Sequence, residues 1–394
     1  MSRLPKELQY NPMEKYKELS CKIFNAPLRY VQGPCALQYI GLYIQPFQYH
    51  TVIVVLSPNR LKDQGKTIQE SLQKYKAAQV VEFLEFHGEC TWEEFTRINQ
   101  KIETLHVTNS YCLVGVGGGT NIDCVRAIAY LRNVSFVSVP TLASNDAPCS
   151  ALSVFYTQQG EFLEYVFYPR NPSLVLVDTD IITKAPKRFF VSGMGDAMAT
   201  YYEAASCWKA EHAVTCAGGR PTATAEALGR LCRDLLFTYG RQAVKDLNCQ
   251  PLQVTEAIER VTEANTLLSG LGFESGGLAA AHAVHNGLTA HHATKTKYHG
   301  EKVAFGTLVH LCLENDLQEA FRVAQFFYDT GLPVTLEELG IKENDVEGIR
   351  RVAERTCAKG ETVYHLSIAY EISPDLVYQC ILKANRLGKE MVNK

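Results

Sequence analysis

SYCLVGVGGGTNIDCVRAIAYL, residues 110–131, is the stretch on which the fold turns. The apolar run from Tyr111 to Val116 ends in three consecutive glycines, Gly117, Gly118 and Gly119. Ile122, Val125, Ile128 and Ala129 then recur at helical spacing. Strand, glycine turn and helix together make a phosphate cradle, because glycines let the backbone approach an anion and a helix N-terminus offers unpaired N–H groups. The spacing is not GxGxxG, and a glycine triplet also suits a plain tight turn, so the surroundings have to decide.

They read as a βαβ pattern. Thr51 to Leu56 (TVIVVL), Ala78 to Phe83 and Phe136 to Val139 are further buried strands of a parallel sheet. Thr91 to Leu105 is a helix, with Thr91 as N-cap and Glu94 at capping-box spacing. Ala151 to Tyr168, two apolar runs around QQGE, predicts an antiparallel hairpin appended to that sheet, and Leu174 to Asp178 adds a strand. Just past the strand ending in Val139, Pro140 and Thr141 comes LASNDAPCSALSVFY, at the carboxyl edge where open α/β sheets bind ligands. Ordinary loops favour the same residues, which leaves Asp146 open.

After Pro186 strand-like runs stop and amphipathic stretches follow: Ala223 to Tyr239, Leu252 to Leu271, Val303 to Leu313, Gln318 to Thr330 and Pro374 to Leu387. The chain has 394 residues, more than one core usually holds. The expectation is an α/β dinucleotide-binding domain over 1–185 and a helical, metal-binding domain over 186–394, with a cleft between them.

A net charge of −3, from 39 basic and 42 acidic residues without a dense basic block, argues against nucleic acid and anionic membranes as partners. Apolar runs stop far short of the ~20 residues of a membrane span. The opening MSRLPKELQYNPMEKYKELS is polar and partly acidic, unlike a secretory or transit signal, so a cytoplasmic address is expected. Thirteen cysteines without a CxxC pair read as free thiols of a reducing compartment.

Six of the eleven histidines fall between His282 and His310. His282 and His285, three apart among small residues, share a helix face, and His299 precedes a helix opened by Gly300 and Glu301. Upstream, SGMGDAMATYYEA puts Asp196 after close-approach glycines, at an expected helix start. One carboxylate and two imidazoles leave a coordination position open, as catalytic zinc requires. Singly, each residue would read as a helix cap or a satisfied core histidine; the set favours a metal.

These residues resemble the glycerol dehydrogenases, within the iron-containing alcohol dehydrogenase superfamily. The similarity runs from about Leu28 onward and is most specific in GVGGGTNID, DAPCSALSVFYT, NPSLVLVDT, SGMGDAMAT, EANTLLSGLGFESGGLAAAHAVHNGLTA and HGEKVAFGTL. The resemblance implies the dehydroquinate synthase-like, iron-containing alcohol dehydrogenase fold: an N-terminal α/β domain with a parallel sheet and an all-α C-terminal domain. It implies zinc-dependent oxidation of glycerol and related 1,2-diols to dihydroxyacetone and hydroxyketones, with hydride transfer to NAD. By position it makes Asp196, His282 and His299 the zinc ligands, Asp146 the residue that holds the polyol, and His285 an orienting or proton-relaying neighbour. Gly118, Gly119, Thr120, Asp123, Thr141, Ser144, Ser150, Leu152 and Tyr156 match dinucleotide positions. It also implies a homo-oligomer, commonly an octamer.

The chain departs from its relatives in three places. Thr120 stands where a Lys or Ser is common. Ser57 and nearby Arg60, in VVLSPNR, replace an acidic residue suited to ribose hydroxyls, which makes NADP the alternative cofactor. The segment Glu361 to Ser373 diverges, with an expected role in substrate access. Competing functions on this fold are dehydroquinate synthase-like lyases, glycerol phosphate dehydrogenases and catalytically silent nucleotide binders. NDAPCS and HNGLTA carry no Lys or Arg, which favours an uncharged polyol; a silent relative would have lost a zinc ligand.

Overall fold

The computed structural model describes residues 4–16, 20–107 and 110–393; residues 1–3, 17–19, 108–109 and 394, including parts of the opening segment, lie outside the described residues. Six parallel strands form the main sheet in the order β1-β8-β5-β4-β2-β3. They are β1 (Tyr30–Gly33), β2 (Thr51–Leu56), β3 (Val80–Glu85), β4 (Tyr111–Gly117), β5 (Ser135–Pro140) and β8 (Leu174–Asp178). The sequence marks all of these except β1, a short half-buried edge strand with the mixed run YVQG.

All six residues of β2 are buried, because the sheet is covered on both faces. Val52, Val54 and Leu56 pack with Ile68 and Leu72 of the helix Pro58–Lys74, whereas Ile53 and Val55 pack with the helices Trp92–Thr104 and Gly119–Leu131. Neighbouring strands β2 and β4 thus send their following helices to opposite faces. The crevice this leaves at their carboxyl ends is where such sheets bind ligands. Thr91 caps its helix as expected, its Oγ accepting from Glu94 N at 3.1 Å, but the Glu94 carboxylate turns to His87 N and Arg97 instead of completing a capping box.

The expected hairpin exists as β6 (Leu152–Tyr156) and β7 (Phe162–Phe167), but it is a separate two-stranded sheet and not an extension of the main one. A register shift at Phe155/Tyr156 bends β6, and Phe155 stacks on Trp92 at 3.8 Å. Packing against a helix, not edge pairing, therefore holds the hairpin.

No named strand follows Asp178 among the described residues. The helix Lys187–Lys209 runs through the centre of the second half, buried along most of its length. The stretch expected as one helix from Leu252 begins at Glu256 and passes through a π-helical turn, Ala264–Leu268, before ending at Gly276. That turn aims the Asn265 amide at two carbonyls, Ala143 O and Phe190 O, each at 3.0 Å, tying the loop after β5 to the central helix. All thirteen cysteines are free, and among the described residues no helix is long and apolar enough to cross a membrane.

Buried Glu274 joins distant segments, accepting from Asn171 Nδ2 at 2.7 Å and Asn25 Nδ2 at 3.3 Å. Burial raises its carboxyl from the usual 4.5 to about 7 against the pull of those amides. The neutral form is thus favoured by folding, and its stabilisation fades as pH rises from 4.5 through 7. Urea unfolding of Glu274→Gln beside the unmodified chain should show the variant gaining relative stability over that window, by roughly 3 kcal/mol in total. Parallel pH profiles would contradict it.

Candidate metal and dinucleotide site

Close helix crossings assemble the site. A Cβ on Gly300 would lie 1.8 Å from Ser192 O, and one on Gly195 would lie 2.4 Å from Gly300 O. Only glycine at both positions lets the helix Lys187–Lys209 meet the first turn of the helix His299–Leu313. Asp196 therefore sits in the interior of its helix, not at a start as the sequence suggested; the glycines before it serve packing. His299 is the first residue of its helix. That start is held by Glu301, which accepts from Tyr298 N at 2.8 Å and pairs with Arg188 at 2.6 Å.

His282 and His285 lie on the helix Ala280–Thr289, as expected. The fully buried Asp196 Oδ1 is 3.3 Å from His282 Nε2 and 3.0 Å from His299 Nε2. All three donor atoms lie within 4.8 Å of one another. The other oxygen of Asp196 accepts the backbone N–H of Asp146 at 3.2 Å.

Behind His282 stands Glu203, which sequence reasoning missed. It lies two turns beyond Asp196 on the same helix, so the seven-residue spacing in DAMATYYE was the available signal. Its carboxylate accepts from His282 Nδ1 at 2.6 Å, and from the backbone N–H groups of His282 and Ala279 at 3.0 and 2.8 Å. The carboxylate fixes the tautomer of His282 and turns Nε2 toward Asp196, the support a histidine needs if it is to hold a metal.

The electrostatics point the same way. Burial alone disfavours a charged imidazole, yet Glu203 and Asp196 overcome it and raise the His282 pKa well above its ordinary value. Burial opposes the Asp196 carboxylate too, but His299 and His282 outweigh it and hold its pKa below the usual range. Asp146 is raised well above that range, first by burial and then by the Asp196 charge. One buried carboxylate facing two imidazole nitrogens, one of them backed by a second carboxylate, is a donor set that suits a divalent cation. His285 is pushed well below its usual pKa by burial, then by His299, Lys302 and His282, and so stays neutral.

A cavity of about 820 Å³ lies over the carboxyl ends of β2, β4 and β5, lined by Ser57, Arg60, Gly117, Gly118, Thr120 and Thr141 among others. Two buried amide oxygens on its wall, Gln64 Oε1 and Asn121 Oδ1, have no hydrogen-bond partner. Ribose hydroxyls or an adenine amine would satisfy them. Gly118 caps the helix Gly119–Leu131 without any side-chain bond, so first-turn N–H groups stay free for phosphate. The pocket and its orphaned acceptors fit a dinucleotide. A second cavity of about 470 Å³ shares Gly118 and Thr120 with the first and continues to Asp146, His282, His285 and His299.

Gly119, Ser144, Leu152 and Tyr156 also line this second cavity. Thr120 is on the wall, though its hydroxyl donates to Gly88 O at 3.2 Å. Asp123 and Ser150 are buried and line neither cavity. Asp123 faces inward from its helix to pair with Arg126 at 2.7 Å, and Ser150 Oγ is turned onto Ala147 O at 3.2 Å. Lys295, Lys297 and Lys302 line the second cavity, cations that NDAPCS and HNGLTA do not carry. Glu361 to Ser373 lines neither cavity. It backs the His282 helix instead, through Thr362 Oγ1 on Ala279 O at 2.6 Å and Glu361 on Asn286 at 3.0 Å.

The profile of the iron-containing alcohol dehydrogenases matches residues 31–186. The chain is 43% identical over 371 residues to a glycerol dehydrogenase of Citrobacter freundii, an alignment spanning 94% of this chain and 98% of that one. It is 44% identical to one of Thermotoga maritima, over 93% of this chain and 98% of the other. The crystal structure of glycerol dehydrogenase from Schizosaccharomyces pombe superposes with a TM-score of 0.88 at 36% identity, covering 95% of this chain and 93% of that one.

If Glu203 orients His282, Glu203→Gln should weaken divalent-metal affinity by about 10–100-fold in competition with a chelator while the fold persists. An unchanged affinity would mean that His282 is held by something else.

Proposed function

The chain belongs to the glycerol dehydrogenases of the iron-containing alcohol dehydrogenase family, and on that premise we propose the reaction and its machinery. It oxidises glycerol and related 1,2-diols to dihydroxyacetone and the matching hydroxyketones, with NAD as hydride acceptor and zinc held by Asp196, His282 and His299. The observation that carries this reading is the convergence of those three donors within 4.8 Å beside a cavity continuous with the glycine cradle. With it go a division near residues 185/186, assembly into a homo-oligomer, the octamer of the resemblance, and cytoplasmic residence.

When bound, the divalent ion supplies Lewis acidity to a hydroxyl oxygen and the dinucleotide supplies the hydride acceptor. The chain supplies placement. Gly118, Gly119 and the helix they open hold the pyrophosphate, while Thr141, Ser144, Leu152 and Tyr156 line the path toward the metal. Asp146 engages a second hydroxyl of the diol, which separates polyols from simple alcohols. His285, neutral and with its ring 4.2 Å from that of His299, orients the hydroxyl or relays its proton onward. Its Nδ1–H donates to Asn286 Oδ1 at 3.1 Å, which leaves the Nε2 lone pair to accept a hydrogen bond. Phe189, Phe273 and Leu278 line the cavity and exclude water.

A second reading concerns the cofactor. Arg60 and Ser57 line the larger cavity at the end of β2, where an acid would otherwise select unphosphorylated ribose. The Arg60 guanidinium is only loosely paired with Asp63, at 3.8 Å, and could meet a 2′-phosphate. Fluorescence titration with NADH and NADPH decides between the two: tighter NADPH binding that Arg60→Gln abolishes assigns NADP, and NADH preference in both proteins assigns NAD.

Asp146→Ala should lower kcat/KM for glycerol by about 100-fold, roughly 2.7 kcal/mol, and leave 2-propanol within about threefold. Equal losses on both alcohols would remove the diol-holding role. Because three lysines line the cavity, glycerol should also be run against glycerol 3-phosphate. Preference for the phosphate would reassign the substrate.

A further inference from the structure

Arg126 lies on the helix Gly119–Leu131, whose first turn forms the phosphate cradle, yet it lines neither of the two cavities and is only 3% exposed. A guanidinium that deep must find acceptors for a rigid fork of donors. It finds three. Nη1 reaches Asp123 Oδ1 at 2.7 Å and also the carbonyl of Leu152, and Nη2 donates to the carbonyl of Ala147. Ala147 directly follows Asp146, and Leu152 stands where the loop re-enters a strand. One side chain therefore grips both ends of the loop 147–152.

Asp123 extends the grip. Its Oδ2 accepts from Val154 N at 3.0 Å, and its backbone carbonyl accepts from Ser153 Oγ at 2.8 Å. At the N-terminal end of the same helix, a Cβ on Gly119 would lie 2.6 Å from Asn145 Nδ2, so helix and loop touch there as well. The helix thus meets the loop on both sides of Asp146, whose N–H is bound in turn to Asp196.

A buried ion pair is weak grounds for stability, since apolar residues of like volume fill such space equally well. What apolar residues cannot do is hold the carbonyls of Ala147 and Leu152 at a set distance from the cradle helix. We propose that Arg126, paired with Asp123, is a positioning residue: it sets the loop 147–152, and through it the Asp146 carboxylate, against the dinucleotide cradle. The proposal rests on the reading of Asp146 as the diol-holding group.

Arg126→Lys keeps the charge but replaces the planar fork with a compact ammonium that cannot span both carbonyls in the same geometry. Its kcat/KM for glycerol should fall by about tenfold, with 2-propanol changed by less than about threefold, because misplacing one carboxylate hurts only the substrate that uses it. In the Asp146→Ala background the same substitution should cost less than about twofold on glycerol, the non-additivity expected of residues acting through one another. Equal loss on both alcohols, or a full additional loss without Asp146, overturns the proposal. Should Arg126→Lys fail to fold, Asp123→Asn takes its place: it loosens the guanidinium without removing it, and a selective, non-additive loss of about threefold is expected. A wild-type protein inactive on glycerol would defeat the functional reading instead, whatever the variants show.

Discussion

A fully buried carboxylate has to be compensated, and much of the functional half is arranged around compensating Asp196. One of its oxygens faces two imidazole nitrogens, and the other takes the backbone N–H of Asp146. None of these partners is near Asp196 in sequence. They meet because Gly195 and Gly300 carry no side chain where two helices cross, and because Gly193 leaves room for the Ala143 carbonyl, which a Cβ there would approach to 2.0 Å. With a methyl group at that crossing, the ligands would be pushed apart before any question of chemistry arose.

The sheet imposes the complementary constraint. Since β2 and β4 lie side by side and their helices leave on opposite faces, the crevice above them is a consequence of topology. The glycine triplet at the end of β4 stands at the bottom of that crevice and exposes helix N–H groups to it. The central helix of the second half closes it from the other side through Phe189, which lines both cavities. The glycine triplet and the Asp196, His282 and His299 cluster thereby face one continuous cleft.

Between the two constraints runs the loop after β5. It touches the cradle helix through Asn145 and Arg126, the central helix through Asp146, and the π-helical turn through Asn265, whose amide bonds Ala143. A loop with so many fixed backbone contacts behaves as part of the scaffold. Asp146 gains a defined position from this, which a carboxylate on a free loop would lack.

Local pattern by itself determined the strands from Thr51 to Asp178, the cradle at Gly117 to Gly119 and the Thr91 cap, because burial on both faces and helix starts write themselves into neighbouring residues. The histidine cluster and SGMGD also marked the three side chains that converge, since small residues beside ligating types are unusual. Tertiary structure alone decided the rest. β1 is too short and mixed to show a period, the hairpin chose a helix over the sheet edge, and Asp123 turned inward because a buried guanidinium one turn away needed it. Glu203 became part of the site because Ala279 and His282, far along the chain, delivered their N–H groups to it. Such roles depend on which distant donors and acceptors arrive at a buried group, and the sequence around that group does not record them.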